Sequence, residues 1–193
     1  TPQNTKVILK WCSPVTQIEL GNEVTQFAEI WHFSRTNKIH HIGFGLESDV
    51  NTLKLVNDKF VLLPVCMDTG YLENVEKVEL DGLNCDIFCA VNCRKNILAQ
   101  IFALSNYNDK IKLHINYNTN NVYPVIVNNV IKNVTNHGWI GDKGRYLSLI
   151  KGMDFAMQVT LSESLNYTAA EHAYFGIPVL LSEAIPFAIN APE

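Results

Sequence analysis

The sequence predicts an α/β fold, in which a parallel sheet carries helices on both faces. Several short runs are continuously apolar rather than alternating, as expected for parallel strands that are buried on both sides. Stretches with helical periodicity stand between these runs, and the connections are only a few residues long. Alternation of this kind is typical of right-handed βαβ units in a layered sheet.

Seven runs are predicted to form the strands, because each is short, apolar and rich in residues that favour extended structure. In chain order the predicted strands are 6–11, 39–46, 59–66, 85–91, 111–117, 156–162 and 177–182.

Five stretches repeat apolar residues at helical spacing and are predicted to be helices. They are 15–33, 95–107, 122–134, 144–155 and 166–176. Ser13 and Pro14 favour a helix start before the first stretch, and Gly21 could interrupt it. Ile97, Ile101 and Leu104 form one apolar face of the second.

A polar, acidic stretch at 67–84 has no sustained period and is predicted to be a connection. It separates an α/β segment at 1–66 from a longer series of strand and helix repeats at 85–193. The 193 residues suffice for one full core or for one and a half small domains. Because the chain begins at Thr1 and its last residues give no obvious stop, we expect an excised domain.

Composition narrows the classes of function. The net charge of −4 argues against binding along a nucleic-acid backbone, which needs clustered Lys and Arg. The sequence contains no apolar stretch near the roughly 20 residues of a membrane span, so no transmembrane segment is predicted. Five cysteines, an odd number, predict reduced thiols and a cytoplasmic location.

Three of these cysteines, Cys85, Cys89 and Cys93, are evenly spaced and raise the question of a metal site. Zinc sites usually combine tighter C-x2-C pairs with distant partners. The surrounding residues look like a buried strand that runs into a loop. We therefore favour packing of small apolar side chains over metal ligation, and predict no metal site.

Two glutamates, Glu163 and Glu171, flank a predicted helix start after the buried strand at 156–162. Asn166 or Ser164 could cap this helix, and Gly176 is a suitable left-handed terminator. The free backbone N–H groups at the helix start would form a seat for a phosphate. These groups belong to Leu165, Asn166, Tyr167 and Thr168. Glu171, more than a turn into the helix, could accept two hydrogen bonds from a vicinal diol such as a ribose, and Glu163 would face what lies beyond the phosphates.

These residues resemble the retaining glycosyltransferases of the GT-B fold, in particular those similar to glycosyltransferase family 4. The resemblance lies in a Glu-x7-Glu pair, an Ala-rich helix and a Gly-Ile-Pro-Val exit. The matching positions are Ser162, Glu163, Glu171, Ala173, Gly176, Pro178 and Val179, and Leu165 replaces the usual aromatic residue. The resemblance covers about residues 60–190.

A second stretch, 86–104, resembles the first strand, loop and helix of that family's donor domain. Lys95 matches the lysine that reaches the donor diphosphate, and Asn96 stands where the family often has Gly or Asn. The family's Gly-Arg-Leu is absent, since 89–91 reads Cys-Ala-Val, and Arg94 could substitute from a different position.

Between these stretches, HGWIGD at 137–142 stands where the family borders the nucleobase. Trp139 and Gly141 could contact the base. The alternative is that Trp139 belongs to the core, and the sequence does not decide between the two.

The resemblance implies a Rossmann-like domain that binds a nucleotide-diphosphate sugar, preceded by part of a second α/β unit. The implied reaction moves the sugar to a hydroxyl of a glycan, glycolipid or other acceptor, with retention of configuration. Catalysis would rest on Glu163 and Lys95, without cofactor or metal, and further domains of the same polypeptide are expected partners. The open alternatives are a noncatalytic module with a degenerate fold and a nucleotide-sugar epimerase. The histidines, including His172 beside Glu171, are expected to be structural.

Overall fold

The computed structural model describes residues 5–15, 23–36, 38–107, 109–118 and 123–186. The chain forms two compact units. The first unit comprises the chain up to Cys66, Ser162–Leu165 and the residues from Ile185 onward. The second unit comprises Met67–Leu161 and Asn166–Ala184.

The first unit contains a three-stranded parallel sheet in the order β1-β2-β3. Its elements are β1 (Ile8–Trp11), α1 (Val24–Ser34), β2 (His41–Phe44), α2 (Glu47–Lys54) and β3 (Phe60–Leu62). Aromatic side chains dominate its core: Phe44 and Phe60 are fully buried, and the ring of Trp31 stacks on Phe60 at 5.9 Å between centroids. Aromatic pairs of this kind add stabilisation beyond their buried area.

The second unit contains a five-stranded parallel sheet in the order β6-β5-β4-β7-β8. Its strands are β4 (Leu83–Ile87), β5 (Ile111–Ile115), β6 (Val134–Asn136), β7 (Phe155–Gln158) and β8 (Val179–Leu181). Its helices are α3 (Ile97–Ser105), α4 (Tyr123–Val130), α5 (Lys143–Gly152) and α6 (Tyr167–Tyr174). Strand order reverses between β4 and β7, which makes their carboxyl ends the natural position for a crevice.

Apolar clusters lie on both faces of this sheet, because alternate strand residues point to opposite sides. Cys85 and Ile87 of β4 pack with Ile101 of α3 on one side. Phe88, which follows β4, packs with Ile150 of α5 in a separate cluster. Parallel sheets with helices on both sides are the predicted fold class, and the structure confirms it.

Each of the seven predicted strands overlaps an observed strand, but two elements were missed. The sequence did not predict α2, whose only buried side chains are Val50 and Leu53, so it lacks a repeated apolar stripe. The second missed element is β6. The predicted helix at 122–134 extends to its first residue, whereas α4 ends at Val130 and β6 begins at Val134. β6 is a three-residue edge strand with two exposed residues, too short for a visible alternation. Of the predicted helix at 15–33, residues 16–22 lie outside the described residues.

The predicted connection at 67–84 packs against α5 and contains a 3₁₀ turn at Gly70–Leu72. The backbone of Val78 donates to the carbonyl of Ser148 at 3.3 Å, and Lys151 Nζ donates to the carbonyl of Val75 at 2.8 Å. A Cβ at Gly152 would lie 2.5 Å from the carbonyl oxygen of Val78, so only glycine permits this approach. The stretch is thus fixed against the helix that carries Lys143 and Tyr146.

Candidate functional site

The carboxyl-terminal edge of the second unit's sheet holds a cavity of about 350 Å³. Residues that follow three neighbouring strands line it, together with the starts of α5 and α6. They are Phe88, Cys89, Ala90, Asn116, Trp139, Ile140, Gly141, Lys143, Tyr146 and Thr168. A cavity at the point where strand order reverses is the usual position of a ligand in open α/β sheets.

Trp139 and Gly141 both line this cavity, as the nucleobase hypothesis requires. The side chain of Trp139 is 81% exposed, so the alternative that it belongs to the core is wrong. Trp139 also lines a second cavity of about 280 Å³, which shares Cys89, Ala90 and Asn116 with the first. The indole is therefore available to a planar ligand.

Glu171 is 5% exposed and accepts a tyrosine hydrogen bond on each carboxylate oxygen. The hydroxyl of Tyr71 donates to Oε1 at 3.0 Å, and that of Tyr146 donates to Oε2 at 3.1 Å. Because the Tyr146 proton is directed to Glu171, Thr168 Oγ1, 3.0 Å away, donates to the Tyr146 oxygen. Thr168 and Tyr146 line the cavity, which places Glu171 directly behind its wall.

Burial raises the pKa of Glu171, and four neighbours partly offset this. Hydrogen bonds from Tyr71 and Tyr146 and the charges of Lys143 and His172 lower it, but the net pKa stays above the ordinary value of a glutamate. Lys143 Nζ lies 3.3 Å from the centroid of the Tyr71 ring, within cation–π distance.

The start of α6 has the predicted cap. Asn166 Oδ1 accepts from the backbone N–H of Ala169 at 3.0 Å, and Asn166 Nδ2 donates to Gln158 Oε1 at 3.0 Å. Ser164, the alternative cap, instead donates to the carbonyl of Cys12. Tyr167 is exposed and Thr168 lines the cavity, so the first turn of the helix lies beside the cavity. At the other end Gly176 has φ 73°, which confirms the predicted left-handed exit.

Arg94, Lys95 and Asn96 form a turn at the same edge, immediately before α3. Lys95 is 8% exposed and Asn96 has φ 50°. The turn is fastened to the segment after β7: the N–H of Leu161 donates to the carbonyl of Arg94 at 2.7 Å. Gln100 donates to the Lys95 carbonyl at 2.8 Å and accepts from the Val159 N–H at 3.1 Å.

Not every predicted site residue lines the cavity. Within the described residues, Trp139, Gly141 and Thr168 line it, whereas Arg94, Lys95 and Asn96 lie at the same sheet edge outside its lining. Glu163 and Leu165 belong to the first unit, and Glu163 is 5% exposed.

A buried charged pair was missed by the sequence reasoning. His172 Nε2 lies 2.6 Å from Asp86 Oδ2, and His172 Nδ1 lies 2.7 Å from the carbonyl oxygen of Thr168; both side chains of the pair are 0% exposed. The Thr168 carbonyl and an ionised Asp86 can only accept, so a protonated His172, which donates from both ring nitrogens, satisfies both contacts. Burial alone would lower the pKa of His172, but Asp86 and the hydrogen bond to Thr168 raise it above its usual value. The sequence does contain a signal for this pair: Asp86 is a single charged residue inside an apolar strand, and such a residue is rarely buried without a partner.

Two further histidines, His114 and His137, form a neutral pair nearby. Asn84 Oδ1 accepts from His114 Nε2 at 3.1 Å, so His114 Nδ1 accepts from His137 Nε2 at 2.9 Å. Burial lowers the pKa of His114 to about 4, and the neighbouring His137 lowers it further. Structural roles for these residues agree with the expectation from sequence.

The cysteine in β4 packs as predicted. Cys85 is fully buried in the apolar cluster and Cys89 lies against it, and burial raises the pKa of the Cys85 thiol. Cys93 is exposed, so the prediction that it packs with them is wrong. Across the described ranges, no three side chains of the metal-binding types come close enough to hold an ion. None of the described helices has the length and apolar character to cross a bilayer.

Comparison with solved structures identifies the class of fold. Sucrose-phosphate synthase from Thermosynechococcus elongatus matches 99% of this chain with a TM-score of 0.72 and 14% identity, and the match covers 53% of that protein. The Anabaena protein Alr3699/HepE in complex with UDP and glucose matches 97% with a TM-score of 0.72 and 10% identity, over 56% of its length. A trehalose-6-phosphate synthase studied for glycosyl transfer with retention matches 95% with a TM-score of 0.69 and 12% identity, over 55% of its length.

These matches show that the chain has the Rossmann-like α/β fold of GT-B glycosyltransferases, and that it spans about half the length of the proteins it matches. No protein-family model matches the chain, and no curated protein matches its sequence significantly.

Proposed function

We propose that the second unit binds a nucleotide-diphosphate sugar and that the chain is part of a retaining glycosyltransferase, which transfers that sugar to an acceptor hydroxyl. The observation that carries the proposal is the cavity at the carboxyl edge of β4, with exposed Trp139 on one side and Glu171 behind the other. Two matched proteins support the proposal through their fold. One was solved in complex with UDP and glucose, and the other was studied for glycosyl transfer with retention.

In this proposal the base lies against Trp139 and Gly141, and the ribose diol donates to the Glu171 carboxylate. The diphosphate is held by the first N–H groups of α6, from Tyr167 and Thr168, and by the turn that carries Arg94 and Lys95. The position of the turn supports this assignment, because it is hydrogen-bonded to the segment that leads to α6.

The chemistry assigned to these groups is electrostatic. The bond between the anomeric carbon and the diphosphate breaks, a bond from that carbon to the acceptor oxygen forms, and the acceptor hydroxyl passes its proton to the leaving diphosphate oxygen. Lys95, Arg94 and the helix N–H groups would stabilise the negative charge that develops on the leaving diphosphate, without requiring a metal. Glu163 is assigned to the transferred sugar, together with Leu165 beside the helix start.

The proposal extends to the acceptor, to partner domains and to the place of action. The acceptor, a glycan, glycolipid or other hydroxyl compound, and further domains of the same polypeptide are inferred because the matched proteins are about twice as long. A cytoplasmic site of action is proposed from the odd number of cysteines.

A thermal-shift screen with UDP-, GDP- and dTDP-sugars tests the proposal. A ligand at 100 times its dissociation constant should add about 2.7 kcal/mol to the free energy of unfolding. Glu171→Gln keeps the shape of the side chain but removes its charge, and should lose most of this gain. Glu76→Gln, at an exposed position of the same unit, is the matched control and should keep it.

The alternatives predict different outcomes. If wild-type protein gains no stability from any of these sugars, the noncatalytic module is favoured and the proposal fails. If a sugar binds and is converted to its epimer without an acceptor, the epimerase is correct.

A further inference from the structure

Tyr71 is held firmly although it lies in a stretch without regular structure. Its neighbour Leu72 is 2% exposed, and the turn is closed by the Leu72 N–H, which donates to the carbonyl of Thr69 at 2.9 Å. Asp68 Oδ1 accepts from the N–H of Gly70 at 2.9 Å. The turn therefore presents the Tyr71 side chain from a fixed backbone.

The Tyr71 side chain joins the two charged groups beside the cavity. Its hydroxyl donates to Glu171 Oε1 at 3.0 Å, and its ring lies under the ammonium of Lys143 at 3.3 Å. Lys143 lines the cavity, whereas Tyr71 is not among the described lining residues. Tyr71 would thus affect a ligand in this cavity through these two neighbours.

We propose that Tyr71 is a positioning residue of the donor site, which holds the Glu171 carboxylate and the Lys143 ammonium in the orientation that a ribose diol requires. The inference rests on the proposed function, since it assigns the diol to Glu171.

The geometry of the carboxylate supports this role. A carboxylate offers about four acceptor positions, two on each oxygen. Tyr71 occupies one position on Oε1 and Tyr146 one on Oε2, so by this count each oxygen could accept one further hydrogen bond. Two adjacent hydroxyls of a diol match two acceptors on neighbouring oxygens. A hydrogen bond from each side also restricts rotation of the carboxylate, which reduces the entropy lost on binding.

The hydrogen-bond donors and positive charges around Glu171 also support a positioning role for Tyr71. Tyr71 from the turn, Lys143 and Tyr146 from α5 and His172 from α6 all lower its pKa against the effect of burial. A protonated carboxyl would lose acceptor capacity, so these groups favour the ionised form of Glu171, which accepts from a diol. Loss of the Tyr71 hydroxyl should raise the pKa of Glu171.

Calorimetric titration with UDP or GDP, whichever binds the wild-type protein, tests the inference. Tyr71→Phe keeps the ring under Lys143 and should weaken binding about fivefold, the equivalent of one hydrogen bond. Its affinity should also begin to fall at a higher pH than in wild type when the buffer is acidified. Tyr71→Leu, which removes the ring as well, should weaken binding further. Tyr174→Phe, on an exposed tyrosine of α6, is the control and should match wild type.

A double-mutant cycle shows whether Tyr71 acts through Glu171. In the Glu171→Gln background, Tyr71→Phe should have little further effect on affinity. The 2′,3′-dideoxy form of the same nucleotide, which lacks the diol, should bind wild type and Tyr71→Phe equally.

The outcomes separate this inference from the proposed function. If wild type binds no nucleotide, both fail. Two results would overturn only the positioning role, provided that wild type binds the nucleotide. In the first, Tyr71→Phe has the same affinity and pH profile as wild type. In the second, Tyr71→Phe weakens binding of the dideoxy form as much as binding of the nucleotide itself.

Discussion

Both faces of the second unit's sheet carry an apolar cluster, but one of them also carries a buried polar pair at β4. On one face, Cys85 and Ile87 of β4 pack with α3 in an apolar cluster. On the other face, Asp86 pairs with His172 of α6, and its register partner on β5 is His114. The contact between β4 and α3 is thus apolar and non-directional, whereas the contact between β4 and α6 includes a directional polar pair.

This difference bears on the candidate site, because His172 directly follows Glu171. An ion pair fully buried at 2.6 Å fixes the rotation of α6 about its axis, and with it the direction of Glu171. Buried pairs are weak evidence for stability but are well suited to fixing one arrangement. We expect the packing of α6 on β4 to depend on charge and pH, and that of α3 on β4 to depend on side-chain volume.

The largest effect should follow from breaking the buried pair. Asp86→Asn leaves the His172 imidazolium without its counter-charge and should lower the free energy of unfolding by about 4 kcal/mol. Urea denaturation followed by circular dichroism measures this. Combining it with His172→Gln should cost less than the sum of the two single changes; additive losses would show that the pair has no coupling.

A smaller effect is expected on the apolar face. Ile101 is 0% exposed in α3, so Ile101→Ala should lower the free energy of unfolding by about 3 kcal/mol through lost burial and a cavity. The loss should be the same at pH 5 and pH 8, because no titrating group is involved. A loss that varies with pH would contradict the contrast between the two faces.

The smallest effect concerns acidification of the polar face. The folded-state pKa of His114 is lowered from 6.5 to about 4, so between these values the unfolded chain binds more protons than the folded one. Stability from this group is complete above pH 6.5 and is lost as the pH falls towards 4, by at most about 3 kcal/mol. His137, whose pKa is also lowered, acts in the same direction.

His172 has the opposite sign, because its raised pKa gives stability that is lost as the pH rises. Melting temperatures of wild type and His114→Asn between pH 4 and pH 8 separate the two contributions. The variant should show a flatter acid side; an unchanged slope would contradict the neutral assignment of His114.

The sequence predicted the sheet and one side of the site, because strand ends and helix caps are local signals. Glu171, Asn166 and the turn with Lys95 were placed at one edge by the rule that carboxyl ends of parallel strands meet there. Tyr71 was missed because it lies 100 residues from Glu171 in a stretch without period. Asp86 indicated a buried partner, but the strand pattern does not say which residue of α6 provides it.

The most direct test of the account is the fluorescence of Trp139 during titration with UDP and GDP. Trp139 is 81% exposed at the cavity, whereas Trp11 is 9% exposed. The account predicts saturable quenching as a base stacks on the indole, and its loss in Trp139→Leu. Nucleotide binding that leaves the emission unchanged, or equal quenching in Trp139→Leu, would contradict the claim that this cavity receives the donor.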